Sequence, residues 1–183
     1  MYRYSTTPLN AIQQSSEFVD LGKQESALEI LFDAIRVRRG KTWSPSIEEA
    51  MINYLNLCLN LRNTSSFKDG MNQYRMLCQL ANVSSFDKVV TKFFKTCLEA
   101  SDKAKNQSRE KNLATDLDEL ETPEMIILKS ISETTQQDRT DRILLSPTVK
   151  FTWEAFRNIL EVCRNNRNLE KIYAEMAKKS FKF

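Results

Sequence analysis

Arg36, Arg38, Arg39 and Lys41 place four cations within six residues, and Trp43 follows two positions later. Guanidinium forks match phosphate and carboxylate geometry, and an indole can stack on a base. This stretch is therefore a candidate contact for RNA or for an acidic protein surface. A plainer account also exists: cations in the last turn of a helix complement its dipole just ahead of Gly40. Arg164 and Arg167, with Arg157 and Lys171 close by around Asn165 and Asn166, form a second and weaker cluster of the same kind. Catalytic chemistry is much harder to find. The chain has no histidine, which removes Ser-His-Asp and Cys-His nucleophile pairs, histidine metal sites and histidine pH switches. Cys58, Cys78, Cys97 and Cys163 form no close CxxC-type pair, and each falls on an apolar helical stripe, so they read as buried free thiols. Asp116, Asp118, Glu119 and Glu121 lack the glycine and ligand spacing of a calcium loop and read as a solvated acidic linker. There is no glycine-rich phosphate loop and no GxSxG motif. No enzyme, metal or cofactor is expected.

The elements that must carry these clusters follow from composition and punctuation. A chain of 183 residues with 41% hydrophobic and 28% charged residues can bury a sizeable core in one or two domains. Three glycines and four prolines are too few for the turns of a multi-stranded β protein. No apolar run reaches the roughly 20 residues that span a bilayer, and no signal-peptide pattern opens the chain. A soluble, cytoplasmic protein without membrane contact is expected. The net charge of +3 divides unevenly, with +3 over 1–98, −4 over 99–128 and +4 over 129–183. Two mildly basic lobes thus flank an acidic middle, a thinner basic footprint than a dedicated nucleic-acid module shows.

All four prolines follow Ser or Thr: Thr7-Pro8, Ser44-Pro45, Thr122-Pro123 and Ser146-Pro147. A hydroxyl at the N-cap followed by proline at the first helical position predicts four helix starts. Ser66 before Asp69 and Ser84 before Asp87 predict two more, while Gly22 and Gly40 predict left-handed helix stops. Between these marks the apolar spacing is helical. Ala27, Leu31, Ala34 and Ile35 form one stripe, and Ile47, Ala50, Met51, Tyr54, Cys58 and Leu61 the next. Phe67, Met71, Tyr74, Cys78 and Ala81 precede Phe86, Val89, Val90, Phe93, Phe94 and Cys97. Val149, Trp153, Phe156, Leu160 and Cys163 are expected to face the core, followed by Leu169, Ile172, Tyr173 and Met176. Residues from Ala100 onward extend the preceding helix as a solvated rod, and Thr134–Arg142 is polar and non-helical, with Asp138, Arg139, Asp141 and Arg142 pairing or capping.

Small residues at Ala27 and Gly70 sit where tetratricopeptide units bring two helices close, within a degenerate repeat. Gly70 would cost about 1 kcal/mol inside a helix, so tight packing is the reason for it. The fold expected is an all-α, right-handed α-solenoid of irregular TPR-like helical hairpins. Hairpins occupy 1–98, a charged helix extension and acidic linker 99–121, and further helices continuing the stack 122–183.

Several segments then match one family in order: LNAIQQSSEFVDLGKQESALEILFDAIRVRRGKTW, EAMINYLNLCLNLR, GMNQYRMLCQLANVSSFDKVVTKFF and, most specifically, QDRTDRILLSPTVKFTWEAFRNILEVCRNN. Together they resemble the N-terminal part of the largest subunit (eIF3a) of eukaryotic translation initiation factor three. The resemblance implies a non-catalytic scaffold whose helical-repeat arm leads into a PCI domain. It implies docking on the solvent side of the 40S ribosomal subunit near the mRNA exit channel, against ribosomal protein uS2 and neighbouring rRNA. Support of preinitiation complex assembly, contact with mRNA and pairing with the c subunit of the same factor follow by the same analogy. Pairing with the c subunit belongs mainly to regions beyond Phe183, so the chain is expected to be a piece of a longer protein. Two rivals stay open: a peptide-binding tetratricopeptide adaptor, and a helical scaffold of another PCI-containing complex.

Overall fold

The computed structural model describes residues 7–36, 43–118, 145–164 and 166–181. Among them the chain forms seven α-helices: α1 (Pro8–Asp20), α2 (Gln24–Ile35), α3 (Pro45–Leu61), α4 (Thr64–Ala81), α5 (Val83–Asp118), α6 (Ser146–Cys163) and α7 (Glu170–Ser180). A 3₁₀ turn, Arg167–Leu169, joins the last two. Successive helices pack on one another, and α3 also meets α1 and α5, giving stacked helical hairpins of the tetratricopeptide-like kind. The all-α architecture read from the sequence is the one observed. Gly40, the Thr122-Pro123 start, the acidic linker beyond Asp118 and the polar Thr134–Arg142 stretch lie outside the described residues.

Pro8 and Pro45 open α1 and α3 as expected, but neither Thr7 nor Ser44 caps through its hydroxyl. The two starts expected at Ser66 and Ser84 lie earlier, and at α4 an asparagine does the capping. Asn63 accepts from the Ser66 amide at 3.0 Å, so α4 begins at Thr64. Asn82 precedes α5 and accepts from the Ser84 hydroxyl at 2.7 Å. Gly22 takes φ +75° at the end of α1, where the left-handed region favours glycine. At the end of α3 the same conformation falls to Arg62, φ 53°, a position no glycine announced.

One apolar cluster runs from Ala27 to Met176. Phe67 lies 5.1 Å from Phe93 and 6.0 Å from Phe151 between ring centroids, tying α4 to α5 and α6. Phe94 stacks on Phe156 at 4.7 Å, and the Lys179 ammonium on α7 lies 5.9 Å from the Phe94 ring centroid. Each such ring contributes about 1.5–3 kcal/mol by leaving water. Gly70 lies against Tyr54: a Cβ there would fall 3.0 Å from ring atoms Cδ1 and Cζ and closer still to Cε1. The tight approach inferred from that glycine is therefore present.

Three elements differ from expectation. On α6 the buried residues are Thr148, Phe151, Thr152, Ala155, Phe156, Ile159, Val162 and Cys163, while Trp153 is 56% exposed. Two threonines disguise this face. Thr152 donates its hydroxyl to the Thr148 carbonyl at 2.8 Å, which satisfies the group inside the helix. Arg62 Nη2 in turn donates to Thr148 Oγ1 at 3.4 Å. The α5 extension, expected to be solvated all round, buries Ser101, Ala104 and Ser108 on one side. Tyr173, placed in the α7 stripe, is also exposed, whereas Leu169, Ile172 and Met176 are buried as expected.

Candidate partner-binding surfaces

Arg36 ends α2 with an exposed side chain, at the entry to the basic connector. Arg38, Arg39 and Lys41 lie outside the described residues. Trp43 closes the connector and is half-buried against the core. Its indole N–H donates to Ser85 Oγ at 3.2 Å. Ser85 is fully buried, lies 2.7 Å from the Tyr74 hydroxyl, and donates to the Glu48 carboxylate. One hydroxyl thus joins the connector to α3, α4 and α5. Trp43 thus anchors the end of the connector that leads into α3, with its indole N–H already engaged.

Arg164 and Arg167 are both exposed at the α6–α7 turn, which Asn166 organises by accepting from the Asn168 amide at 3.2 Å. Arg157 and Lys171 are exposed nearby. Arg36 ends α2 and Arg164 follows α6, and both helices pack on α4. A third set was missed in the sequence. Lys88, Lys92 and Lys95 are exposed at i, i+4 and i+7 on α5, one continuous helix face. Their spacing is legible in the sequence, but lysines at such intervals are also what any solvated helix face carries.

Charge is segregated by element. Helices α1, α2 and α3 carry Glu17, Asp20, Glu25, Glu29, Asp33, Glu48 and Glu49, and no Lys or Arg. The cations of this region, Lys23, Arg36, Arg38, Arg39, Lys41 and Arg62, all stand between or at the ends of those helices. A polyanion would meet cations at the connectors and carboxylates on the helix flanks.

The thiols are packed inside. All four cysteines are free and buried, and burial pushes Cys58 and Cys97 up to about 12 and Cys78 and Cys163 up to about 11. Protonated thiols at such sites are poor nucleophiles and poor metal ligands. Among the described residues, no three His, Cys, Asp or Glu side chains converge as a metal site. No helix among them is long and apolar enough to cross a membrane.

The family described as "eIF3a, PCI domain, TPR-like region" matches residues 9–183. The A subunit of eukaryotic translation initiation factor 3 from Danio rerio is 40% identical over 184 residues, covering 100% of this chain and 14% of that protein. Its human counterpart is 39% identical over the same length, covering 100% of this chain and 13% of its own. The Arabidopsis thaliana counterpart is 38% identical over 179 residues, covering 96% of this chain and 18% of its own. This chain thus spans less than one fifth of these relatives.

Proposed function

The chain belongs to the eIF3a family, in its TPR-like PCI region, and we propose that it is a non-catalytic scaffold segment of a translation initiation factor. The observation that carries this reading is the identity near 40% along the whole chain with proteins named as initiation factor subunits, from fish to plants. In this reading the stacked hairpins dock on the 40S ribosomal subunit near the mRNA exit channel, against ribosomal protein uS2 and adjacent rRNA, and help assemble the preinitiation complex in the cytoplasm. Stacked hairpins suit that work, because they offer extended surface and dock through many modest contacts. Other subunits of the same factor, chiefly its c subunit, join through parts of the longer protein.

Docking engages the connector edge through Arg36, Arg38, Arg39 and Lys41, with Trp43 holding that edge in place. Arg164 and Arg167 supply a second contact from the α6–α7 turn. Support comes from the exposure of Arg36, Arg164 and Arg167 and from the connector cations beside helix flanks that would repel phosphate. Any mRNA contact would use the same basic edges.

Co-sedimentation with purified 40S particles across a salt series tests the proposal. Saturable binding is expected, weakening steeply as salt rises where rRNA phosphates are engaged. Charge reversal at Arg36, Arg38, Arg39 and Lys41 is expected to remove it. Binding that survives the reversal would discard the connector as the site, and absence of binding at low salt would discard direct docking by this segment.

A further inference from the structure

Helices α1 and α3 each pack on α2, and between them lies an open cleft of about 290 Å³ to which α2 contributes no residue. Ile12, Val19 and Leu57 give it an apolar floor, and Asp20, Asn53 and Asn56 a polar rim. The serines beside it are satisfied within α1, Ser15 donating to the Ile12 carbonyl at 2.8 Å and Ser16 to that of Gln13 at 2.7 Å. The rim amides are different. Neither Asn53 nor Asn56 has a side-chain hydrogen-bond partner among the described residues, and both are half-buried. Asn56 also borders the neighbouring seam between α3 and α5, beside Lys92 and Thr96, but that seam is closed. The α1–α3 cleft is the part that can admit a side chain.

Charge selects the occupant. Asp20 is exposed and has no ion-pair partner among the described residues, and Glu17 lies one turn before it. No cation stands on α1, α2 or α3, and the exposed Lys23, three residues on in the α1–α2 turn, forms no ion pair with Asp20 among the described residues. A phosphate backbone would be repelled here, whereas a lysine or arginine side chain would be drawn in.

We propose that the α1–α3 face is a docking groove for an extended peptide that carries Lys or Arg beside an aliphatic or aromatic residue. The apolar residue fills the floor between Ile12, Val19 and Leu57, and the cation sits over Asp20 and Glu17. Asn53 and Asn56, each with two N–H donors and a carbonyl acceptor, hold the peptide backbone as a neighbouring strand would. A cleft at the lower end of the roughly 300–1,000 Å³ usual for ligand sites takes one side chain, so binding is weak and exchanges fast.

The test is heteronuclear NMR of the isotope-labelled chain titrated with the blocked peptide KLKLK, with ELELE and KSKSK as controls. KLKLK alone is expected to shift α1 and α3 amides, including the side-chain amides of Asn53 and Asn56, to saturation. Asp20→Lys reverses an exposed ion pair and should weaken binding about three- to fivefold. Ser16→Trp, from an exposed position on the cleft wall, should abolish the saturable shifts while far-UV circular dichroism stays unchanged. Shifts that map elsewhere, survive Ser16→Trp or are matched by ELELE would overturn the groove, as would no shift at millimolar KLKLK. An oligouridylate that moved the same amides would also overturn it, in favour of RNA. The 40S sedimentation of both variants is read separately, so failure of the groove and failure of ribosome docking are distinguishable.

Discussion

Replacing Gly70 by alanine sets two effects of opposite sign against each other. In a free helix the change would stabilise by about 1 kcal/mol, because glycine is the poorer helix former. Here the new methyl meets the Tyr54 ring, with Cδ1 and Cζ at 3.0 Å and Cε1 nearer. The ring has little room to retreat. Tyr54 is 1% exposed, its hydroxyl donates to the Ser66 carbonyl at 2.5 Å, and its centroid lies 6.0 Å from that of Phe32. Overpacking of this kind costs about 1–3 kcal/mol, and pulling the hydroxyl off its acceptor adds about 1 kcal/mol. The steric effect wins, and Gly70→Ala should destabilise the chain by about 1–3 kcal/mol net of propensity. Urea unfolding followed by far-UV circular dichroism measures it, with a melting shift of about 2–4 °C per kcal/mol as a second reading. The double variant Gly70→Ala/Tyr54→Leu isolates the cause: its loss should be smaller than the sum of the two single losses. A Gly70→Ala chain as stable as the parent, or more stable, would refute the close approach of α3 and α4 at this point.

Other expectations follow from the buried polar groups and thiols. Ser85→Ala removes the partner shared by Trp43, Tyr74 and Glu48. It should cost about 1–3 kcal/mol and shift Trp43 emission to the red; unchanged stability and emission would count against the anchor. Of the two tryptophans, Trp153 should be quenched by iodide in the native chain and Trp43 protected, as single-tryptophan variants would show. A thiol reagent at about pH 8 should label none of the four cysteines until denaturant is added. Because burial raises the folded thiols to between about 11 and 12, the unfolded chain releases its protons first as the solution turns alkaline. Stability from this source is complete below about pH 8.5, and each thiol then costs about 1.4 kcal/mol per pH unit until its folded value is reached. Denaturant midpoints that stay flat from neutral pH to pH 11 would contradict the burial of these groups.

The helices were legible because their signals are local. Proline placement and apolar spacing act within one or two turns, so Pro8, Pro45, the Phe67–Cys78 stripe and the Phe86–Cys97 stripe appear where expected. Gly70 was legible for another reason: an unfavourable residue inside a good helix has to be offset by contact elsewhere, and Tyr54 is that contact. The face of α6 was not legible. Hydrophobicity by residue type ranks Trp153 as core and Thr148 and Thr152 as surface, but an internal helix bond and the Arg62 contact reverse the order. Neither contact leaves a mark in residue spacing. Asn63, the cap of α4, was available in the sequence, yet Ser66 beside it offered a competing cap of nearly equal strength.

Binding surfaces divide along the same line. A basic run such as Arg36–Lys41 stands out in one dimension, whereas the α1–α3 cleft unites residues some 35 to 45 positions apart, such as Val19 and Asn56. What separates the two surfaces is the placement of charge. Had the seven carboxylates and the connector cations been interspersed, the helices would have paired them within their own turns at a few tenths of a kcal/mol each. Segregated as they are in sequence, the carboxylates have no Lys or Arg to pair with inside α1, α2 or α3, and the cations of this region stand at the connectors and helix ends. The arrangement forgoes a little helix stability and leaves two surfaces of opposite preference on one stack. On the proposed reading, one edge would take phosphate or acidic protein, and one face basic peptide. A scaffold that must hold a ribonucleoprotein particle would use both, since such a particle presents nucleic-acid phosphates and basic protein tails together.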